Sequence, residues 1–243
     1  MTAFYILALI AFGSMVQTLT GFAMGLIIMG GVTVLGLVNI QAAAAMVSLI
    51  SLVNASVALR KSHKFIDRTY IKWLALGMLP MILVGVLILD YLSSESSLVL
   101  QKLLGFVIVF TGILMMLKPS PFSQSSGKIT RILVGASGGI MGGMYGAGGA
   151  PIAYLMYRQP LDLNIVRATL LGSFALSTTF RVVTISVAGQ VTEEVLRLVV
   201  LAIPLVILVT LTTSRFAHLV PDALIRKFVF VLLVILGLFL MLK

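Results

Sequence analysis

Uncharged apolar runs of about 20 residues follow one another along the whole chain, and the first basic residue is Arg60. A helix needs roughly 20 apolar residues to cross a bilayer core about 30 Å thick. Of the 243 residues, 60% are hydrophobic and 10% are charged, which lies far outside the composition of soluble domains. We therefore predict an all-α integral membrane protein in which residues 1–243 form a single transmembrane domain.

The chain carries a net charge of +10 and contains no cysteine. Its basic residues lie in short segments between apolar runs, where they set membrane orientation, so nucleic acid is not expected as a partner. Without cysteine there is no disulfide, no thiolate nucleophile and no Cys-ligated metal. The acidic residues and both histidines fall in or beside predicted loops. We therefore expect no cofactor, no metal site and no catalytic residues, and predict that the protein is not an enzyme.

The sequence repeats itself at an offset of 125 residues. The heptapeptide GILMMLK at 112–118 matches GLFLMLK at 237–243. The same register pairs Gly21 with Gly146, Asn39 with Asn164, Ala43 with Ala168 and Ser48 with Ser173. This pattern predicts two homologous repeats, at 1–118 and 129–243, joined by a linker at 119–128, as is common in transporters.

Each repeat is predicted to open with a glycine-interrupted segment, at 2–37 in the first and at 129–157 in the second. Three ordinary spans follow in each repeat. They are predicted at 42–60, 71–92 and 98–118, and then at 165–189, 196–214 and 225–243.

Lysine and arginine counts distinguish two topologies, because short cytoplasmic loops are enriched in these residues. If each interrupted segment crosses the membrane once, the halves are parallel and 11 of the 17 basic residues lie inside. If each segment folds back as a hairpin, the second half is inverted and 13 of the 17 lie inside. We predict inverted repeats, with the N-terminus outside.

The strongest candidate for a binding site is the run GGMYGAGGAP at 142–151. Backbone this rich in glycine does not stay a continuous helix, and irregular backbone at membrane depth is tolerated only in protein or beside a polar cavity, so the run predicts a broken helix. Its free N–H groups and a restarting helix would bind an anion, with Tyr145, Gly146, Gly148 and Gly149 as the contact residues. The alternative is close helix packing through small residues.

The corresponding place in the first half is the polar cluster QTLTG at 17–21. We predict that Gln17, Thr18, Thr20 and Gly21 form a second hairpin tip, which meets the first near the membrane midplane. The two threonine hydroxyls can instead bond the preceding turn of their own helix, which would be a structural role only.

Hydroxyl and amide side chains on two predicted helices form the walls of this site. Ser48 and Ser173 each lie nine residues after an asparagine, roughly 13 Å along a helix and so near the bilayer centre. Asn54 on the first of these helices, and Ser177, Thr178 and Thr179 on the second, continue the polar stripes. The alternative is interhelical hydrogen bonding that only holds the bundle together.

Arg181 is the basic residue placed well inside an apolar run. Charges at such positions usually face a cavity or a partner, so Arg181 is a candidate for the cationic wall of an anion path. It is also about 25 Å along its helix from Asn164, close enough to the far interface for snorkelling.

A duplicated chain of this length whose second half contains GMYGAGGAPIAYL resembles the sulfite exporter TauE/SafE family over essentially its whole length. The resemblance implies a transporter that moves sulfite or small organosulfonates such as sulfoacetate, generally out of the cytoplasm. The family's glycine turn corresponds to Gly146–Pro151 here and, through the repeat, to Gly21. The first half departs from the pattern, because Thr20–Gly31 lacks the dense glycine run and the proline.

We therefore predict a multi-pass transporter of the cell inner membrane or plasma membrane that exports a small sulfur-containing anion. Uptake, or a channel-like facilitator for a small inorganic or organic anion, is the alternative within transport, and a membrane assembly or structural subunit is the alternative outside it. The expected partners are the anion and membrane lipids, and a homodimer stays an open alternative to the monomer.

Overall fold

A computed structural model describes residues 2–116, 122–216 and 222–242. Within these ranges every regular element is a helix, which confirms the all-α prediction. The first half contains α1 (Thr2–Thr20), α2 (Met24–Val34), α3 (Ile40–Ser62), a 3-10 turn (His63–Phe65), α4 (Arg68–Glu95) and α5 (Ser97–Met116). The second half contains α6 (Lys128–Tyr145), α7 (Gly149–Tyr157), α8 (Leu163–Val187), α9 (Glu193–Phe216) and α10 (Asp222–Leu242).

Six of these helices are long and apolar enough to cross a membrane, namely α1, α3, α4, α5, α8 and α9. Most of their ends lie within about three residues of the ends of the predicted spans, which is the usual uncertainty of such boundaries. Helix α6 begins at Lys128, the last residue of the predicted linker, and residues 117–121 lie outside the described part of the chain.

Both glycine-interrupted segments are broken, and the breaks are 125 residues apart. Helix α1 ends before Gly21 and α6 ends before Gly146, with φ angles of +80° and +65°. This left-handed conformation stops a helix and is open to glycine at little cost. The amide of each glycine still bonds the last turn, from Gly21 N to Gln17 O at 2.7 Å and from Gly146 N to Gly142 O at 2.9 Å.

The chain reverses direction at each break. In the first half, Gly13 on α1 faces Met24 and Ile28, while Leu9 packs on Gly31 near the far end of α2. As the residue numbers increase along α1, those of the residues that they contact on α2 decrease, so α1 and α2 are antiparallel. In the second half, Gly138 on α6 faces Ile152 on α7, and Gly142 faces Gly148. Each broken segment is a helical hairpin.

Hydrogen bonds between connecting segments define two ends of the molecule. At one, called here the Asp90 end, Asp90 Oδ1 accepts from the amides of Gln41 and Gln190 at 3.2 and 3.3 Å. At the other, called here the Trp73 end, Ser126 joins the start of α6 to Tyr70 and to Gln159, just beyond α7.

Helices α3 and α8 pack against each other at the centre of the molecule. Helix α3 is the most enclosed of the six long apolar helices. It begins at a cap in which Asn39 Oδ1 accepts from Ala42 N at 2.7 Å. This arrangement puts the middle of α3 and of α8 beside both hairpin turns, where the candidate site lies.

Candidate substrate site

A narrow cavity lies between the two helix breaks. The cavity volume accessible to water is about 20 Å³, which is enough for about one water molecule. The first hairpin contributes Gln17, Ala23, Gly25 and Leu26 to the lining. The second hairpin contributes Gly142, Gly146, Ala147, Gly148, Gly149 and Ala150, and the central helices contribute Ser51, Phe174, Ser177, Thr178 and Arg181.

Two helix N-termini meet at this cavity. Helix α2 follows Ala23, which has a left-handed φ of +79°, and α7 follows Gly148. Neither helix start has a side-chain capping hydrogen bond. The first N–H groups of a helix have no partner within it, and they carry the positive end of its dipole. Because none of the described lining residues is acidic, the cavity combines these helix-start donors with a positive potential.

Arg181 points into the protein and does not snorkel to an interface, since its side chain is only 2% exposed. Its Nε donates to the carbonyl of Gly143 at 2.9 Å, and its Nη1 donates to Ala44 O at 2.8 Å and to the hydroxyl of Ser48. The guanidinium thus joins α8 to the last turn of α6 and to α3. None of these bonds uses Nη2, and Arg181 contributes to the cavity wall.

The side chain of Gln17 is held at the cavity by Asn54. Gln17 Nε2 donates to Asn54 Oδ1 at 2.9 Å, and Asn54 Nδ2 lies 2.8 Å from Thr210 Oγ1 and 3.3 Å from Ser14 O. A carbonyl oxygen only accepts, so the Asn54 nitrogen must face Ser14 and its oxygen must face Gln17. Asn54 is fully buried and stands behind Gln17, outside the lining.

The two predicted wall serines are close to the cavity, but their hydroxyls bond to their own helices. Ser48 Oγ donates to Ala44 O and Ser173 Oγ donates to Thr169 O, both at 2.8 Å. Both residues are fully buried, and neither lines the cavity. They differ in one respect, because the Ser48 hydroxyl also accepts from Arg181.

Three other predicted side chains support the turns without reaching the cavity. Thr18 Oγ1 donates to Ser14 O at 2.7 Å, and Thr20 Oγ1 donates to Val16 O at 2.8 Å. The Tyr145 hydroxyl donates to Leu100 O at 3.2 Å. Of the predicted residues, those that do line the cavity are Gln17, Gly146, Gly148, Gly149, Ser177, Thr178 and Arg181.

Ser51 and Phe174 line the cavity and were not predicted to do so, whereas Thr178, which was predicted as part of the polar stripe on α8, lines it as expected. Ser51 lies midway between Ser48 and Asn54, so extending that polar stripe by one helical turn would have found it. Among the described residues, the hydrogen-bond partner of the Ser51 hydroxyl is the thioether of Met24, at 3.8 Å. The ring of Phe174 occupies the space where a side chain on Gly149 would project, a contact that no sequence pattern predicts.

Comparison with known proteins identifies the group to which this chain belongs. The family model described as "Sulfite exporter TauE/SafE" matches residues 5–240. This chain belongs to the TauE/SafE family. A curated relative, the "Probable sulfite/organosulfonate exporter TauE" of Cupriavidus necator (strain H16), is 38% identical over 235 residues, which cover 97% of this chain and 92% of the relative. No solved structure matches the chain.

Membership in the TauE/SafE family makes this protein a multi-pass membrane transporter and not an enzyme. The predicted family and the predicted class of function are therefore confirmed. Across the ranges that the structure describes, no three His, Asp or Glu side chains cluster as metal ligands would.

Proposed function

We propose that this TauE/SafE-family protein exports sulfite or a small organosulfonate such as sulfoacetate, and that it binds the anion between its two hairpin turns. The family and the name of the Cupriavidus necator relative support this substrate class. The observation that carries the site is the meeting of two uncapped helix N-termini at one cavity. Helix N-termini bind anionic oxygens through their N–H groups and dipoles.

Three kinds of donor would hold the oxygens of the anion. The first is the N–H groups at the starts of α2 and α7. The second is the hydroxyls of Ser51, Ser177 and Thr178, of which Ser51 turns to an anion most easily, because a thioether is a weak acceptor. The third is the charge of Arg181, whose guanidinium is fixed by two carbonyl oxygens.

The other predicted residues act through the shape of the site. Asn54 holds the amide of Gln17 at the cavity wall, and Ser48 helps to hold Arg181. Gly21, Thr18 and Thr20 shape the first turn, whereas Tyr145 anchors the second. Ser173 is a matching hydroxyl with a bond only to its own helix.

We also infer that the two repeats, 1–118 and 129–243, are inverted. Helix α2 leads into α3 at the Asp90 end, where Gln41 bonds Asp90. The second hairpin starts and finishes at the Trp73 end, where Ser126 N donates to Gln159 Oε1 at 2.9 Å. Hairpins that enter from opposite ends are characteristic of inverted-repeat transporters. The count of 13 basic residues inside against 4 outside favours the same arrangement, with the Trp73 end in the cytoplasm.

The cavity admits about one water molecule, so a sulfite or sulfonate ion enters only when the walls separate. Movement of one hairpin against the central helices would open the site to each side in turn. An inside-negative membrane potential favours the exit of an anion by about 2.3 kcal/mol per charge per 100 mV, so export needs no coupled cation.

The flux test uses proteoliposomes loaded with sulfite or sulfoacetate, with sulfate and acetate as control anions. Thr178→Val and Thr179→Val form a matched pair, because both hydroxyls bond their own helix but only Thr178 lines the cavity. We expect Thr178→Val and Ser51→Ala to weaken sulfite binding by about 1.5–3 kcal/mol each, the strength of a hydrogen bond to a charged group. Thr179→Val should behave as the wild type.

Equal flux in Thr178→Val and Thr179→Val proteoliposomes would contradict this site. Transport driven only inward would favour the uptake alternative. If no anion crosses and none raises the melting temperature of the detergent-purified protein, a structural or assembly subunit is favoured instead.

Single cysteines test the inverted arrangement, because the chain has none of its own. We expect Lys64→Cys and Asp162→Cys to react with a membrane-impermeant maleimide from the cytoplasmic side. Glu95→Cys and Glu194→Cys should react from the other side. Labelling of Lys64→Cys and Asp162→Cys from opposite sides would support the parallel arrangement.

A further inference from the structure

Two lysines share one indole ring at the Trp73 end of the molecule. Lys128 Nζ lies 5.0 Å from the centroid of the Trp73 ring and Lys72 Nζ lies 5.9 Å from it. Arg131 lies one helical turn after Lys128 on α6, and Tyr70 lies one turn before Trp73 on α4. The Arg131 guanidinium stacks on the Tyr70 ring, with Cζ 4.1 Å from the ring centroid. Three cations from α4 and α6 therefore converge on two neighbouring aromatic rings. We propose that this cluster binds the phosphate of an anionic phospholipid.

Among the described residues, Lys72, Lys128 and Arg131 form no ion pair with an acidic side chain. Asp67, the acidic residue at this end of α4, caps its own helix by accepting from Tyr70 N at 2.9 Å. Like charges held close together are stabilised by an anion between them, and the membrane surface supplies lipid phosphates.

Arg131 has spare hydrogen-bonding capacity toward this position. Its Nη2 donates to Ser125 Oγ at 2.9 Å, and its Nε is buried without a partner among the described residues. The start of α6 beside it follows Gly127, which provides no side-chain cap. The N–H groups of that first turn add to the potential that Lys72 and Lys128 create.

Exposed apolar side chains continue from the cluster along both helices. Leu76 lies one turn beyond Lys72 and is 55% exposed, and Leu133 lies one turn beyond Ile129, with exposures of 64% and 74%. Residues four apart share a helix face, so acyl chains can lie along these side chains while the headgroup meets the lysines. A tryptophan at the polar end of such a strip is typical of the membrane interface. This combination favours a lipid over a free phosphate ion.

The seam between α4 and α6 is tight at this end, so one lipid can reach both helices. A methyl group on Gly77 would overlap the carbonyl oxygen of Ile132, and one on Gly135 would overlap that of Leu74. The bound phosphate would therefore join Lys72 of α4 to Lys128 of α6 and reinforce the attachment of the second hairpin. This proposal does not depend on the substrate of the transporter.

The test is native mass spectrometry of the full chain released from detergent, titrated with phosphatidylglycerol and, separately, with phosphatidylcholine of the same acyl chains. We expect phosphatidylglycerol to bind more tightly. The double variant Lys72→Gln/Lys128→Gln should lose that preference, by about fivefold in dissociation constant for each lysine, since a basic residue near anionic lipid contributes about that factor. The control Lys64→Gln/Lys102→Gln removes the same charge elsewhere and should keep the preference.

Thermal unfolding in nanodiscs supplies a second measurement, in which phosphatidylglycerol should raise the melting temperature of the wild type and of the control more than that of the double variant. Trp73→Leu should weaken the preference while leaving the net charge unchanged. Equal binding of the two lipids by the wild type would overturn the proposal. So would equal losses in the double variant and the control, or full replacement of the lipid effect by inorganic phosphate.

Discussion

The two hairpins are attached to the rest of the protein by different chemistry. Helix α6 packs on α4 through glycines that bring backbone against backbone, namely Gly77, Gly85, Gly135, Gly139 and Gly143. Helix α1 packs on α9 in the other half. The positions 125 residues away carry side chains there, namely Ala202, Thr210, Ile10, Ser14 and Thr18.

The polar contacts of α1 converge on one residue. Asn54 Nδ2 lies within hydrogen-bonding distance of Ser14 O, Thr18 Oγ1 and Thr210 Oγ1, at 3.3, 3.2 and 2.8 Å. Side-chain contacts of this kind can exchange partners with small movements, whereas interlocked backbones cannot. We expect the second hairpin to stay with α4 during transport, so that the first hairpin is the element that moves.

The largest expected effect separates the two seams directly. A methyl group on Gly85 would overlap Ile140 O and lie 2.9 Å from the Cα of Gly143, so relief requires a shift of a whole helix. We expect Gly85→Ala to cost about 3 kcal/mol or more of unfolding free energy, at or beyond the usual range for overpacking. Thr210→Ala, at the matching position, should cost about 0.6–1.7 kcal/mol, the range for hydrogen bonds in membrane proteins. Equal losses in chemical denaturation would remove the distinction between the seams.

The second largest effect concerns the buried charge of Arg181, whose matching position in the first half is Ser56. We expect Arg181→Met to lower anion affinity about 10–100-fold, because the charge-assisted interaction is worth roughly 1.5–3 kcal/mol. The unfolding free energy should change less, since the loss of hydrogen bonds to Gly143 and Ala44 is offset by removal of a buried charge. Ser56→Ala at the matching, exposed position should leave both quantities unchanged. Unaltered affinity in Arg181→Met, measured by isothermal titration with sulfite, would leave Arg181 with a structural role only.

The sequence predicted the second hairpin turn from its glycine density, and the first turn only through the repeat that relates the two halves. Gly21 and Gly146 were paired by the repeat, and both adopt the left-handed conformation. Helical rise placed Ser48 and Ser173 beside the site, but rise gives depth and not the direction in which a side chain points. The orientation of Arg181 depended on carbonyls from two other helices. The glycines of α4 stand singly in the sequence, so nothing local marked them as contacts for α6.

The third effect tests whether Asn54 stabilises the first hairpin and not the second. Asn54→Leu keeps a similar volume but removes every hydrogen bond that joins α3 to α1 and α9 through this residue. We expect opening of α1 to become easier by about 1 kcal/mol, within the range for membrane hydrogen bonds. Hydrogen exchange of α1 peptides in nanodiscs should accelerate about fivefold, while exchange of α6 peptides stays the same. Thr179→Leu, at the matching exposed position, is the control. Faster exchange in both hairpins would show that Asn54 supports the whole fold.

The smallest effect compares the two serines that the repeat pairs. The Ser48 hydroxyl donates to Ala44 O and also accepts from Arg181, which in turn bonds the last turn of α6. The Ser173 hydroxyl donates only to Thr169 O, a carbonyl that its own helix already employs. A hydroxyl bonded back to its own helix adds little stability, so Ser173→Ala should change the unfolding free energy and sulfite affinity by less than about 0.5 kcal/mol. Ser48→Ala should weaken sulfite affinity by about 1 kcal/mol, because the guanidinium loses one of its three acceptors. If the two alanine variants bind sulfite equally well, the arginine is held by the carbonyls alone and the two halves differ less than their hydrogen bonds indicate.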